Sequence, residues 1–295
     1  MMISRARTAT CAICGNETVS HRHDWLFRCR ACGFLSSILD LHVNSSDLQI
    51  DEPRREKALH GLRRKNFETI LDRLAEAGLE RSASILDIGC GHGWFLASAA
   101  ARGHKSVGIE PDAAVAAMAE ANGVRVRVGF FPDVVRPGET FDAIVFNDVF
   151  EHLPDPSVAM SEIGRILAPN GLLVINLPLA TGIFYRIADT LDRIGYRGPF
   201  ERMWQLDFPS PHRSYFSQNQ LSEIARRYGF EECARYSLPS LRVDGSWERL
   251  RYDPHQSVFS AAAMWPLLAL ATPVLRFLPP AIGVQIFRRP CRTTP

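Results

Sequence analysis

The chain lacks most of the features by which a sequence declares a binding partner outright. It has no excess of one charge: 34 Lys and Arg against 32 Asp and Glu leave a formal net charge of +2, which gives no global argument for nucleic acid. Residues 1–10 hold no apolar core of signal-peptide length, so the protein is expected to be cytoplasmic. Cysteine is scarce and odd in number, seven in 295 residues, which argues against a disulfide framework. What is present is ordinary for a globular chain, 46% hydrophobic and 22% charged, long enough for one large domain and a small one.

The most informative stretch is Ile85-Leu-Asp-Ile-Gly-Cys-Gly-His-Gly-Trp-Phe-Leu96. A buried strand is predicted to end at Ile88, a glycine turn to follow at Gly89, Gly91 and Gly93, and a helix to begin at Trp94. Such a turn brings backbone N–H groups close to a ligand at a helix N-terminus. A nicotinamide dinucleotide fits poorly. The third glycine of its fingerprint would fall at position 94, which is Trp94. Asp87 would also face the ligand, where a carboxylate repels a pyrophosphate but attracts an ammonium or a sulfonium. Glu110, 21 residues after Gly89 at the end of the next predicted strand, can accept hydrogen bonds from two ribose hydroxyls.

Asp87-Ile-Gly89-Cys-Gly91-His-Gly93 resembles the first motif of the class I S-adenosylmethionine-dependent methyltransferases. Phe141-Asp-Ala-Ile-Val-Phe-Asn147, running into Asp148-Val-Phe-Glu-His152, resembles the family's fourth strand and the Glu-His pair after it. Leu167-Ala-Pro-Asn-Gly-Leu-Leu-Val-Ile175 resembles its approach to the fifth. At motif level the resemblance covers residues 84–178. It implies an α/β fold: a Rossmann-like sheet of seven strands, the last antiparallel. It also implies cofactor contacts from Asp87, Gly89, Gly91, Glu110 and Asn147, with Phe130 or Phe131 (Phe131 preferred) packed on adenine. Where the family often has an acid facing the adenine amino group, this chain has Gly129.

Cys11-Ala-Ile-Cys14 and Cys29-Arg-Ala-Cys32, separated by fourteen residues and each followed by glycine, have the spacing of a four-cysteine ribbon around one structural Zn²⁺. His21, His23 and Asp24 between them read as a polar loop, four thiolates already satisfying the ion. The expected organisation is a zinc ribbon at 1–40, a linker and basic-faced helix at 41–80, and the methyltransferase domain at 81–295. The basic face, Arg54, Arg55, Lys57, Arg63, Arg64 and Lys65, reads as a solvated surface. Two insertions interrupt the last domain. Residues 178–216, rich in proline and aromatics, lie where a substrate lid would cover the methyl group. Residues 256–280 include an uncharged run interrupted by Pro266 and Pro273. They read as a helical hairpin packed on the protein, with peripheral membrane contact as the other reading.

Methyl transfer from a sulfonium needs an aligned nucleophile and, for a hydroxyl, a proton acceptor. His152, after the fourth strand, and His212, at the end of the lid, are the candidate bases, with Tyr215 a weaker one. His92, in the turn, would line the cofactor carboxylate. Asp148 and Asn176 suggest no carboxylate cluster, and a catalytic metal is not expected. The expected acceptor is an oxygen of a sugar, a glycan or another small hydroxylated metabolite. C- or N-methylation of a nucleotide-sugar is the alternative: the architecture resembles sugar C-methyltransferases with an N-terminal zinc module. Some ribosomal RNA methyltransferases also carry such a module. Against them stand the weak net charge and Asn147-Asp-Val-Phe150 in place of their base-methylation motif. A third alternative is an S-adenosylmethionine-binding adaptor without turnover.

Overall fold

The computed structural model describes residues 10–42, 52–241, 247 and 258–291. Three short strands open the chain, β1 (Thr18–Ser20), β2 (Leu26–Cys29) and β3 (Leu35–Ser37), followed by helix α1 (Glu52–Glu76). Strands then alternate with helices: β4 (Ser84–Ile88), α2 (Trp94–Ala101), β5 (Lys105–Glu110), α3 (Ala113–Ala121) and β6 (Val126–Val128). Next come β7 (Phe141–Asn147), a 3₁₀ turn (Phe150–His152), α4 (Pro156–Ile166) and β8 (Leu167–Pro178). Residues 178–216, the segment expected to act as a lid and so called below, contribute α5 (Ile183–Arg193), α6 (Gly198–Met203) and β9 (Ser214–Tyr215). The chain closes with α7 (Gln218–Arg227), β10 (Glu231–Leu238), α8 (Val258–Leu275) and β11 (Ile282–Arg288).

The main sheet has seven strands in the order β10-β11-β8-β7-β4-β5-β6. Its pairs from β8 through β6 are parallel, and β11 runs antiparallel between β10 and β8. Parallel strands covered on both faces read as continuous apolar runs, and β7 shows why. Its Ala143 and Val145 pack with Phe67, Ile70 and Leu74 of α1. Its Ile144 and Phe146 point the other way, into a layer with Met160 and Ile163 of α4 and Leu221 and Ile224 of α7. Local signals set the helix starts. Asp112 caps α3, Asp155 caps α4 ahead of Pro156, and Ser217 with Gln220 forms a capping box on α7.

One expectation needs correction. Residues 256–280 do not form a helical hairpin: α8 is one helix with Pro266 and Pro273 inside it. Val258–Leu275 contains no glycine to reverse the chain, and a proline in an Ala- and Leu-rich run removes a hydrogen bond without making a turn. Among the described residues no helix is long and apolar enough to cross a membrane. The first three strands are joined by a strand from far along the chain. β9 of the lid pairs with β3, so the first sheet reads β1-β2-β3-β9. Residues 43–51 of the expected linker, and the side chains of Arg54, Arg55 and Lys57, lie outside the described residues.

Candidate active site and four-cysteine cluster

The glycine turn sits at the carboxyl edge of the parallel strands. Gly89 holds φ at +68°, and a β-carbon there would lie 2.4 Å from Val149 Cγ2, so the turn and the loop after β7 require glycine together. Gly91 opens onto space: a β-carbon would meet nothing within 4 Å. Its N–H donates to Glu110 Oε2 at 2.9 Å, and the Asp112 N–H donates to Glu110 Oε1 at 3.0 Å. The acid at the end of β5 therefore braces the turn from below. His92 lies with its ring stacked on Trp94 at 4.9 Å.

Asp87 is buried at the end of β4. The Asn147 amide donates to it at 3.3 Å, and Asn176 donates to Asn147 at 3.4 Å, so side chains from three adjacent strand ends form one row. Burial pushes the Asp87 carboxyl up, the Asn147 hydrogen bond opposes this, and the charge of Glu110 adds to it, leaving the pKa at about 8. A buried carboxyl poised in this way fits a cationic ligand. On the adenine side, Phe131 packs edge-on against Phe146 at 5.9 Å, while Phe130 is the exposed ring. Gly129 has φ of +142°, and a β-carbon there would lie 2.4 Å from Val134 Cγ1, which explains why no acid occupies that position.

The two candidate bases meet. The His152 ring, from the 3₁₀ turn, lies 4.7 Å centroid to centroid from the His212 ring at the end of the lid. His152 Nδ1 is 3.0 Å from the Pro211 carbonyl and 3.2 Å from Ser210 Oγ. Donation from Nδ1–H to Pro211 places the lone pair on Nε2. His212 is buried, with Nε2 3.1 Å from the Gln205 side-chain amide and Nδ1 without a hydrogen-bond partner. Burial, then repulsion by His152, holds His212 well below the usual histidine range. Tyr215 is corrected as a base: it is buried, its hydroxyl donates to the Met203 carbonyl at 2.9 Å, and burial raises its pKa further.

Two residues at this end were missed in the sequence. Glu151 is 1% exposed, its Oε2 has no hydrogen-bond partner, and burial followed by the charge of Asp148 pushes its carboxyl well above the usual range. Ligand-capable atoms of Glu151, His152 and His212 lie within 4.8 Å of one another. The adjacent Glu-His pair was visible, but not that a 3₁₀ turn would aim both side chains at His212. Arg63, assigned to a solvated face, reaches Asp148 Oδ2 at 3.3 Å. Asp148 itself holds a left-handed φ of 55° just after β7.

At the other end of the lid, atoms of Cys11, Cys14, Cys29 and Cys32 all lie within 4.8 Å of one another. The Cys11–Cys32 and Cys14–Cys29 sulfurs are 3.5 Å apart, close to the edge of a tetrahedron with metal–sulfur bonds of about 2.3 Å. Burial pushes Cys14 up, but hydrogen bonds from the Asn16 side chain and backbone outweigh it, leaving the thiol at about 6. The four-cysteine segment is tied to α7 by Gln220, which donates to the Cys32 carbonyl at 2.9 Å, and by Arg227, which donates to the Ile13 carbonyl. The polar-loop reading of His23 is overturned. It is buried, 3.0 Å from Asp192 of α5, and packs against both Trp25 and Phe200, which also contact each other. Arg22 pairs with Asp189 and Asp192 of the same helix. A charged carboxylate on the inner face of α5 needs partners, and the ribbon supplies them.

A seven-stranded sheet with one antiparallel strand, a glycine turn after its central strand and an acid at the next strand end define a class I methyltransferase fold. Residues 59–233 match the family model described as a methyltransferase domain, and the chain belongs to that family. Among curated proteins it is 33% identical over 98 residues to the ubiquinone biosynthesis O-methyltransferase of Azorhizobium caulinodans, covering 31% of this chain and 39% of that protein. It is 29% identical over 154 residues to the protein of that name from Xanthomonas axonopodis pv. citri, covering 50% and 63%. The chain thus spans between 39% and 63% of the length of these two relatives. Among solved structures it is similar to the cyclopropane synthase MmaA2 of Mycobacterium tuberculosis: TM-score 0.51, 20% identity, 85% of this chain and 89% of that one. It is also similar to Haemonchus contortus phosphoethanolamine N-methyltransferase 2 in complex with S-adenosyl-L-methionine: TM-score 0.52, 18% identity, 77% and 53%. At these identities the structures bear on the fold.

Proposed function

We propose that the protein is an S-adenosylmethionine-dependent methyltransferase acting on an oxygen of a small hydroxylated acceptor, sugar and glycan hydroxyls included. The observation that carries this is the buried Asp87 carboxyl beside an open glycine turn, a cradle for a ligand that brings its own positive charge. Asp87 and Asn147 face the methionine part, Gly89 and Gly91 leave room for it, Glu110 takes the ribose, and Phe131 or its exposed neighbour Phe130 takes adenine. When bound, the cofactor would supply an electrophilic methyl carbon whose leaving group is a neutral thioether. The hydroxyl proton is handled by His152 and His212, whose rings lie 4.7 Å apart beyond the end of β7. Two relatives carry O-methyltransferase in their names, which supports oxygen over nitrogen or carbon.

The ribbon holds a structural Zn²⁺ on Cys11, Cys14, Cys29 and Cys32 and serves as the base of the lid, through β9 and the pairs from Arg22 and His23 to α5. The exposed Trp265, Leu270 and Val274 of α8 suit peripheral contact with a membrane that carries a lipid-linked acceptor. Calorimetric titration with S-adenosylmethionine and S-adenosylhomocysteine tests the core of the reading, followed by methyl-label transfer to a panel of hydroxylated acceptors. Micromolar binding of both and label in an ether are expected. Binding without transfer to any acceptor would favour an adaptor, and no binding of either would sink the proposal.

A further inference from the structure

We infer that a basic groove on the four-cysteine segment, built from His21, Arg28 and Arg30, binds a phosphate or diphosphate group carried by the acceptor. The assignment to the acceptor rests on the methyltransferase reading and deepens it; the groove itself stands on its own observations. It has a volume of about 500 Å³ and is lined by these three side chains, by Val19 and by the turn at residues 31–33, with no acid among them. Arg28 and Arg30 are exposed, and neither has an ion pair or a side-chain hydrogen bond among the described residues. The acids that α5 turns toward this segment are already engaged: Asp189 with Arg22 and Arg193, Asp192 with Arg22 and His23.

Positive charge therefore converges on His21. Burial, then the charges of Arg22 and Arg28, hold its pKa below the usual histidine range, with Arg193 adding to this and Asp189 opposing it. Cationic side chains that face one another without a counter-charge are relieved by an anion. Guanidinium forks match phosphate oxygens two at a time, and two forks with an imidazole suit a doubly charged group better than a carboxylate. The neighbouring cysteines offer a competing partner, since four thiolates and one Zn²⁺ leave two net negative charges. Yet among the described residues neither arginine hydrogen-bonds a cysteine sulfur; Asn16 makes that contact, 3.3 Å from Cys14 Sγ. The Arg28 guanidinium instead lies across the second turn, where a β-carbon on Gly33 would sit 3.7 Å from its Nη2.

Strand register places the groove relative to the candidate bases. Val19, Arg28, Leu35 and Tyr215 are successive partners across β1, β2, β3 and β9. Two strand spacings, about 10 Å, separate Arg28 from Tyr215. The Tyr215 ring in turn lies 5.1 Å from the His212 ring. A phosphate in the groove is thus too far from the histidines to react there, and near enough to belong to a molecule whose hydroxyl does. It anchors the acceptor, and no bond to phosphorus changes.

The test titrates the full zinc-containing chain with inorganic pyrophosphate in a calorimeter at fixed ionic strength. Wild type is compared with Arg28→Gln, Arg30→Gln, His21→Gln and, as a control on α7, Arg226→Gln. One site per chain is expected, weakened at least tenfold by each groove arginine variant, about threefold by His21→Gln and not by the control. Zinc content and S-adenosylhomocysteine binding on the same samples report that each variant is folded. No pyrophosphate bound by the wild type, or equal affinity in all variants and the control, overturns the site. Zinc lost from Arg28→Gln and Arg30→Gln, with unchanged affinity in His21→Gln, assigns the arginines to the cysteine cluster and also overturns it. Displacement of pyrophosphate by glucose 1-phosphate identifies a soluble phosphate ester. Displacement by phosphatidylcholine vesicles containing phosphatidic acid identifies a lipid head group, and either result upholds the site. Displacement by neither marks an adventitious ion only and overturns the assignment to an acceptor. Pyrophosphate bound by a protein that ignores S-adenosylmethionine would uphold the groove and refute the methyltransferase reading.

Discussion

Replacing Asp87 by asparagine removes one negative charge from the base of the glycine turn while keeping the shape of the side chain. Asp87 is buried with a pKa of about 8, so near neutral pH most of it is protonated in the free protein. A carboxylate and an ammonium about 4 Å apart attract by about 4 kcal/mol at an effective dielectric of about 20. Ionising an acid of pKa about 8 at neutral pH costs about 1.4 kcal/mol of that. The net gain of about 2–3 kcal/mol corresponds to a loss of roughly 30- to 150-fold in S-adenosylmethionine affinity for Asp87→Asn. The sign of the pH dependence follows. If only the ionised form binds, wild-type affinity should rise about 15-fold between pH values of about 6.5 and 8, with a proton released on binding. The cofactor's own amine titrates in the same range, so the wild-type slope is read after subtracting that of Asp87→Asn. For folding the direction reverses. A carboxyl whose pKa is raised by folding stabilises the protein at low pH, and that contribution is lost as pH rises from about 4 through about 8. Calorimetry in two buffers of different ionisation enthalpy measures both affinity and proton release. Equal affinity and equal slopes in wild type and Asp87→Asn would refute the electrostatic account of the cofactor site.

Other consequences are independent of that charge. Gly89→Ala places a β-carbon 2.4 Å from Val149 Cγ2 at a left-handed φ, so cofactor binding should fall at least tenfold, with Val149→Ala restoring only part of it. Asp192→Asn deprives buried His23 of its carboxylate partner and leaves part-buried Arg22 paired with Asp189 alone, and should cost about 1–3 kcal/mol in denaturant unfolding. If the lid rests on that contact, KM for the acceptor should rise more than the affinity for S-adenosylhomocysteine falls. Purified protein should contain zinc on its four cysteines, close to one ion per chain after removal of more weakly held metal. Cys29→Ser should release it and lower the thermal midpoint, whereas an iron–sulfur absorbance would refute the ribbon assignment.

Much of the catalytic half was legible before any coordinates. The strands expected at 84–88 and 141–147 occur at those residues, because a strand buried on both faces must be apolar along its length. Asp87, Gly89, Gly91 and Asn147 sit at strand ends and turns, where the local sequence dictates the position of the chemistry. The start of α7 is local in the same sense: Ser217 and Gln220, three residues apart, form its capping box.

Contacts between distant segments were not legible. Asp192 looks like one more charge on an amphipathic helix until α5 docks on the ribbon and His23 covers it. α8 was misread because its length and composition suit either one helix or two, and only its course between β10 and β11 decides. Glu151 and His152 are neighbours in sequence, but His212 joins them only when β9 pairs with β3 and draws the end of the lid over the sheet. Sequence patterns specify what each segment can bury and where it must turn, which was enough here to determine the fold class, the glycine cradle and the pairing of cysteines into one cluster. Which polar groups face one another across the lid depends on how those segments pack. That packing is set by the summed burial of many side chains, with no signature in any short stretch of chain.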